Sequence, residues 1–212
     1  MVIPVKHTAR LVLRGFTPDD LEPLHTILSV PGVLQYFPRT DPWPLDKVQK
    51  WMDSQQKHWT EHGFGWFALE HQDTKRLIGW CGLQNLDDTQ EVEVLYLLDK
   101  AYWGSGLATE AAKWCVEDGF RNHNLDLIVG LSHPDNTASQ RVLEKAGLTF
   151  SNQARYFGMD CLRYTIDQQQ FQAFYYECDD FVCERLNEWA QKDAKYSEAL
   201  ERLQSMRAGR TA

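Results

Sequence analysis

No run of apolar residues as long as about 18 occurs anywhere in this chain of 212 residues, so nothing in it reads as a membrane-spanning helix. The first residues, Met1 to Arg14, lack a long apolar core followed by a small-residue cleavage site, so they are not read as a signal peptide. Cysteine is scarce and odd in number. Cys81, Cys115, Cys161, Cys178 and Cys183 form no C-x-x-C pair and are read as reduced thiols, most of them core filler, in a cytoplasmic protein. Positive charge is also short: 22 Lys and Arg face 30 Asp and Glu, a net charge of -8. Duplex DNA or RNA is therefore not expected as a partner, whereas an acidic surface suits a cationic substrate. Finally, residues 168–207 contain neither glycine nor proline.

What is present is ordinary for a soluble globular chain: 43% hydrophobic and 25% charged residues, enough for one domain with an added arm. Residues 9–16 read as a strand. Thr17-Pro18-Asp19-Asp20 reads as a helix start, with Leu21, Leu24 and Leu28 following at helical spacing. Residues 31–44, rich in proline and aromatics, read as a loop. Residues 45–61 read as a second helix with Val48, Met52 and Trp59 on one face, stopped by Gly63. Strand-like runs at 65–70, 77–83 and 91–98, separated by Asp73-Thr74-Lys75 and Asp87-Asp88-Thr89, predict an antiparallel meander. A helix over 106–121, a strand over 125–131, a helix over 136–146 closed by Gly147, and strands near 149 and over 162–166 complete an α+β unit.

One strand-to-helix junction carries chemical information. Tyr96-Leu97-Leu98-Asp99-Lys100-Ala101-Tyr102-Trp103-Gly104-Ser105-Gly106-Leu107-Ala108-Thr109-Glu110-Ala111 joins a strand to a helix through a glycine-containing turn. Such a turn aims backbone N–H groups at one spot beside the positive end of the helix dipole, which makes an anion site suited to a pyrophosphate. Gly104 and Gly106 let a ligand approach the backbone closely. A Rossmann fingerprint does not fit, because Thr109 stands where its third glycine would be and antiparallel signals precede the turn.

A second stretch, Asn136-Thr137-Ala138-Ser139-Gln140-Arg141-Val142-Leu143-Glu144-Lys145-Ala146-Gly147-Leu148, follows a strand and a His133-Pro134-Asp135 turn. With it, residues 9–167 resemble the GNAT N-acetyltransferase superfamily, in particular its ribosomal-protein acetyltransferase-like (RimJ/RimL-like) branch. The glycine turn matches that family's pyrophosphate loop, with Thr109-Glu110-Ala111 as the branch's usual continuation, and Val92-Glu93-Val94-Leu95-Tyr96 resembles the strand before it. The resemblance departs at Ala101, where the superfamily often has Gln or Arg, and at Leu143, where some branches carry a tyrosine acid.

The resemblance implies the GNAT fold: a mixed, mostly antiparallel sheet flanked by helices over residues 1–167, with residues 168–212 as an appended helical arm. It also implies acetyl-coenzyme A as cosubstrate, wedged between the parallel strands over 91–98 and 125–131 where they splay apart. Backbone groups of Val94 and Tyr96 would pair with the pantetheine, and N–H groups of Trp103, Gly104, Ser105, Gly106, Leu107 and Ala108 would hold the pyrophosphate. Glu93 is the candidate base for an amine substrate, directly or through a water, unless it simply faces solvent on a half-buried strand. Ser139 is the candidate donor to the departing thiolate, unless it is a small packing residue. Asn136 is expected to hold coenzyme, to cap its helix, or both. No metal is implied. Residues 36–43, from Tyr36 to Trp43, would border the acceptor or pack as core.

Two other readings compete. His58-Trp59-Thr60-Glu61-His62 fits the H-x-x-E-H pattern of a zinc peptidase on a helix, although Gly63 ends that helix at once. A coenzyme-A-binding regulatory module without turnover would keep the fold and drop the enzyme. The arm carries Phe171, Phe174, Cys178, Phe181, Val182, Leu186 and Trp189 on one stripe, which must pack on its own domain or on a second copy; it is expected to support a homodimer.

Overall fold

The structure is a computed structural model that describes residues 2–86, 89 and 91–175. The chain divides into two units, residues 1–168 and 169–212. Of the second unit only residues 169–175 are described, and they are helical. The expected stripe from Cys178 to Trp189, and with it the dimer contact, lies outside the described residues, as do Asp87 and Asp88 of the expected turn.

The first unit is built on one sheet of eight strands. A short β1 (Lys6–His7) pairs with β2 (Leu11–Arg14) through a turn closed by the Thr8 N–H on the Leu11 carbonyl at 2.9 Å. The first strand is thus shorter than the expected 9–16, because Thr8 to Arg10 are spent on the turn. A 3-10 turn at Pro18–Asp20 leads into α1 (Leu21–Ser29). Its start is held by the buried Asp20, whose carboxylate accepts from the Thr17 N–H at 2.7 Å and from both Arg14 Nη atoms at 2.7 and 2.9 Å. After the loop comes α2 (Leu45–His62), ended by Gly63 at a left-handed φ of 78°.

The meander follows as β3 (Trp66–His71), β4 (Leu77–Asn85) and β5 (Val92–Leu98), all antiparallel. Then come α3 (Leu107–Asn122), β6 (Leu127–Ser132), α4 (Thr137–Lys145), β7 (Thr149–Tyr156) and β8 (Met159–Asp167). The sheet order is β1-β2-β3-β4-β5-β6-β8-β7, and β5 with β6 is its parallel pair. The last two strands form a longer hairpin than the sequence predicted. Thr149–Tyr156 is mostly exposed and polar, so it carries no alternating signal, and the turn at Phe157 and Gly158 uses left-handed φ values of 52° and 79°.

Strand alternation sends neighbouring side chains to opposite faces. On one face Trp66, Trp80 and Leu97 pack with Leu24, Ile27 and Leu28 of α1 and Val48 and Met52 of α2. On the other, α3 buries the small residues Ala111, Ala112 and Cys115, and its Trp114 meets Phe67 of β3 edge to face. Cys81, Cys115 and Cys161 are buried and unbridged. Among the described residues no helix is long and apolar enough to cross a membrane.

Candidate functional site

Strands β5 and β6 are hydrogen-bonding neighbours only at their beginnings. Their register pairs Val92 with Ile128 and Glu93 with Val129, although β5 continues to Leu98 and β6 to Ser132. Past Glu93 the two strands part. β5 remains fully paired with β4 on its other side, and β6 with β8. The parting leaves one edge of Val94 to Leu98 without a strand partner, the kind of edge to which an extended ligand can add as a strand.

At the far end of β5 the chain turns into α3. Gly104 and Gly106 have φ of 74° and 83°, which side chains with a Cβ rarely adopt. A run of bonds shapes the turn. Ser105 Oγ donates to the Tyr102 carbonyl, Arg10 Nη1 donates to the Ser105 carbonyl at 2.8 Å, and the Glu110 N–H closes on the Gly106 carbonyl at 3.0 Å. The N–H groups of Gly104 to Ala108 carry no hydrogen bond among the described residues, as expected where a helix begins without a side-chain cap. Five successive donors and the helix dipole give this turn the chemistry to hold an anion. The expected donation from Trp103 does not stand. Its N–H is spent on the Lys100 carbonyl at 3.2 Å, and Trp103 anchors the turn through its indole, which donates to the Leu98 carbonyl at 2.8 Å.

Glu93 lies where the strands begin to part, and it is 2% exposed. Gln84, its cross-strand neighbour on β4, donates to Oε2 at 2.9 Å. Burial pushes the Glu93 carboxyl up to about 7, against the opposing pull of the bonds from Gln84 and from the Leu131 N–H. The solvent-facing alternative for Glu93 is thereby excluded. A carboxyl that titrates near neutrality, held by a β6 donor across the gap, has the properties of a general base.

Across the cleft, Asn136 caps α4 by accepting the Ser139 N–H on Oδ1 at 3.1 Å. Ser139 Oγ lies 2.9 Å from the Tyr96 hydroxyl, which also donates to the Ser139 carbonyl at 3.0 Å. Burial pushes the Tyr96 hydroxyl well above its ordinary range, so it stays protonated and acts as a donor. The sequence reading gave Tyr96 a backbone role alone; no local signal marks a partner 43 residues away. Leu143, where a tyrosine acid might stand, is buried in the core.

The aromatic loop reaches this region through Tyr36, whose ring stacks on His133 just beyond β6 with centroids 5.4 Å apart. Trp43 instead packs edge-on against Trp51 under the Lys47 ammonium. His58 and His62 are adjacent on α2 with ring centroids 4.5 Å apart, and both pack near Phe64. No third ligand joins them: among the described residues no group of three or more His, Cys, Asp or Glu side chains could hold a metal.

Residues 10–149 match the Acetyltransferase (GNAT) domain family. The uncharacterized protein YkkB of Bacillus subtilis (strain 168) is 30% identical over 153 residues, which cover 70% of this chain and 87% of that protein. The uncharacterized N-acetyltransferase YoaA of the same organism is 29% identical over 148 residues, 69% of this chain and 83% of its own. Among solved structures, an acetyltransferase from Agrobacterium tumefaciens str. C58 superposes with a TM-score of 0.69 at 27% identity, covering 79% of this chain and 96% of that one.

Proposed function

The chain belongs to the GNAT acetyltransferase family and is an acetyl-coenzyme A-dependent acyltransferase; from that premise we propose that it acetylates a primary amine, of a protein N-terminus or of a small molecule. The observation that carries this reading is the parting of β5 and β6 between a buried carboxylate at one end and a turn of unpaired N–H groups at the other.

In this proposal the N–H groups of Gly104, Ser105, Gly106, Leu107 and Ala108 hold the diphosphate of acetyl-coenzyme A. Backbone groups of Val94 and Tyr96 pair with its pantetheine arm. The amine must be neutral to attack the thioester carbonyl, and Glu93 takes its proton, directly or through a water, as the C–N bond forms. As the C–S bond breaks, the Ser139 hydroxyl turns its proton from the Tyr96 oxygen to the departing thiolate and donates a hydrogen bond to it. Tyr96 holds Ser139 in place, and Asn136 fixes the start of the helix that carries it. No metal takes part in these steps. The catalytic domain is residues 1–167, and the arm over 168–212 supports a homodimer. The net charge of -8 favours a cationic acceptor and disfavours a nucleic acid.

A panel of amines tests the reading: an N-terminal ribosomal-type peptide, a polyamine, an amino acid and an aminoglycoside, each with acetyl-coenzyme A. Release of coenzyme A thiol with at least one of them is the expected result. Tight coenzyme binding with no turnover on any would favour a regulatory module instead.

A further inference from the structure

The turn before α3 is tied to a part of the chain about a hundred residues away. Arg10 stands in the turn between β1 and β2, yet its guanidinium spans two groups of the anion cradle. Nη1 donates to the Ser105 carbonyl at 2.8 Å, and Nε donates to Glu110 Oε2 at 2.7 Å. Glu110 Oε1 also accepts from the Arg10 N–H at 2.8 Å and from the Thr8 hydroxyl at 2.6 Å.

Two physical consequences follow. First, a trans peptide is planar, with its C=O and N–H pointing in opposite directions. Fixing the Ser105 carbonyl toward Arg10 therefore fixes the N–H of Gly106, in the same peptide, to point away from Arg10. The side of the turn that Arg10 occupies is thus the side the Gly106 N–H does not face. Second, Glu110 is an acid in the first turn of α3, beside a site built for an anion. A free carboxylate there would repel a diphosphate. Burial pushes the Glu110 carboxyl up, but the bonds from Thr8 and Arg10 outweigh it and hold the group below the ordinary carboxylate range. The charge is thus matched by the Arg10 guanidinium at 2.7 Å.

We propose that Arg10 is a positioning residue for the diphosphate turn: it orients the Ser105–Gly106 peptide toward the ligand and neutralises Glu110 without touching the ligand itself. The role depends on the planar fork of a guanidinium, which bridges two acceptors at once; a lysine ammonium keeps the charge but not the fork. This inference rests on the coenzyme reading of the turn given above.

The test is the affinity of the full-length chain for coenzyme A and for pantetheine, which lacks the diphosphate, measured by calorimetry. The readout is the ratio of the two, so a general loss of folding cancels. Arg10→Met is expected to lower the preference for coenzyme A about tenfold, the loss of one charge-assisted bond. Arg10→Lys is expected to lower it as well, since the fork is lost. An unchanged ratio in Arg10→Met overturns the proposal and leaves the coenzyme site standing. A wild-type ratio in Arg10→Lys also overturns it, because charge alone would then suffice. A wild-type chain that binds no coenzyme A removes the site and the proposal together.

Discussion

Replacing Glu93 by glutamine changes one oxygen for an NH2 group and leaves the size of the side chain unchanged. The carboxyl is 2% exposed and titrates near 7, so at neutral pH about half of it is ionised and able to take a proton. Between about pH 6 and about pH 8 the ionised fraction rises about tenfold, and kcat/KM should rise with it. The variant should turn over about 10² to 10⁴ more slowly and lose that rise, keeping only the slope that the acceptor amine itself contributes. Coenzyme affinity should hardly move, because the cradle is at the other end of β5. Stability gives a second reading with a definite sign. The folded state raises this carboxyl from 4.5 to about 7, so it binds the proton more tightly than the unfolded chain does. The contribution is fully present below the unfolded value and is lost as pH rises through about 7, a change of about 3 kcal/mol. Denaturant melts of wild type and Glu93→Gln, compared from about pH 4.5 to about pH 8, should show wild type losing that margin relative to the variant. A Glu93→Gln enzyme with wild-type rate and pH profile would remove the residue from the mechanism; a stability difference flat with pH would show that the carboxyl is not held as described.

Three further outcomes are expected. Gly106→Val places a β-branched residue at a φ of 83°, which costs about 1–2 kcal/mol in backbone strain or shifts the turn, and coenzyme affinity measured by calorimetry should fall in a folded variant. Ser139→Ala should lower kcat in steady-state assays while leaving the KM for acetyl-coenzyme A near wild type, and Tyr96→Phe should follow it in direction with a smaller effect; a KM change alone would make the pair a binding feature. Light scattering of the full-length chain at high micromolar concentration should report a dimer, and a persistent monomer would reduce the arm to an intramolecular brace.

Local chemistry was legible in the sequence where one residue type has one main use. Gly104 and Gly106 announced a strand-to-helix turn, Asn136 a helix cap, and Gly63 a helix end; all three are found, the first with a left-handed backbone that was not foreseen. The face of α3 was legible because small apolar residues repeat at helical spacing. Strands near 149 and over 162–166 were legible, but the full length of the β7–β8 hairpin was not, since its exposed polar edge strand and its Phe157 turn carry no pattern. Long-range bonds were also invisible: Arg10 to Glu110 and Tyr96 to Ser139 join residues that only the fold brings together. Trp103 shows the same limit at short range. Its place in the turn was legible, but not that its N–H would be consumed and its indole would do the anchoring. Burial of Glu93 likewise depends on β6, which meets β5 only at its first residues.

The central claim concerns where coenzyme A sits, and a crystal structure of the chain soaked or grown with coenzyme A tests it most directly. The diphosphate should lie on the N–H groups of Gly104 to Ala108, the pantetheine should run along Val94 and Tyr96 between β5 and β6, and the sulfur should end beside Ser139 on the Glu93 side. Coenzyme A bound elsewhere, with the cleft between β5 and β6 closed or filled by side chains, would contradict the account.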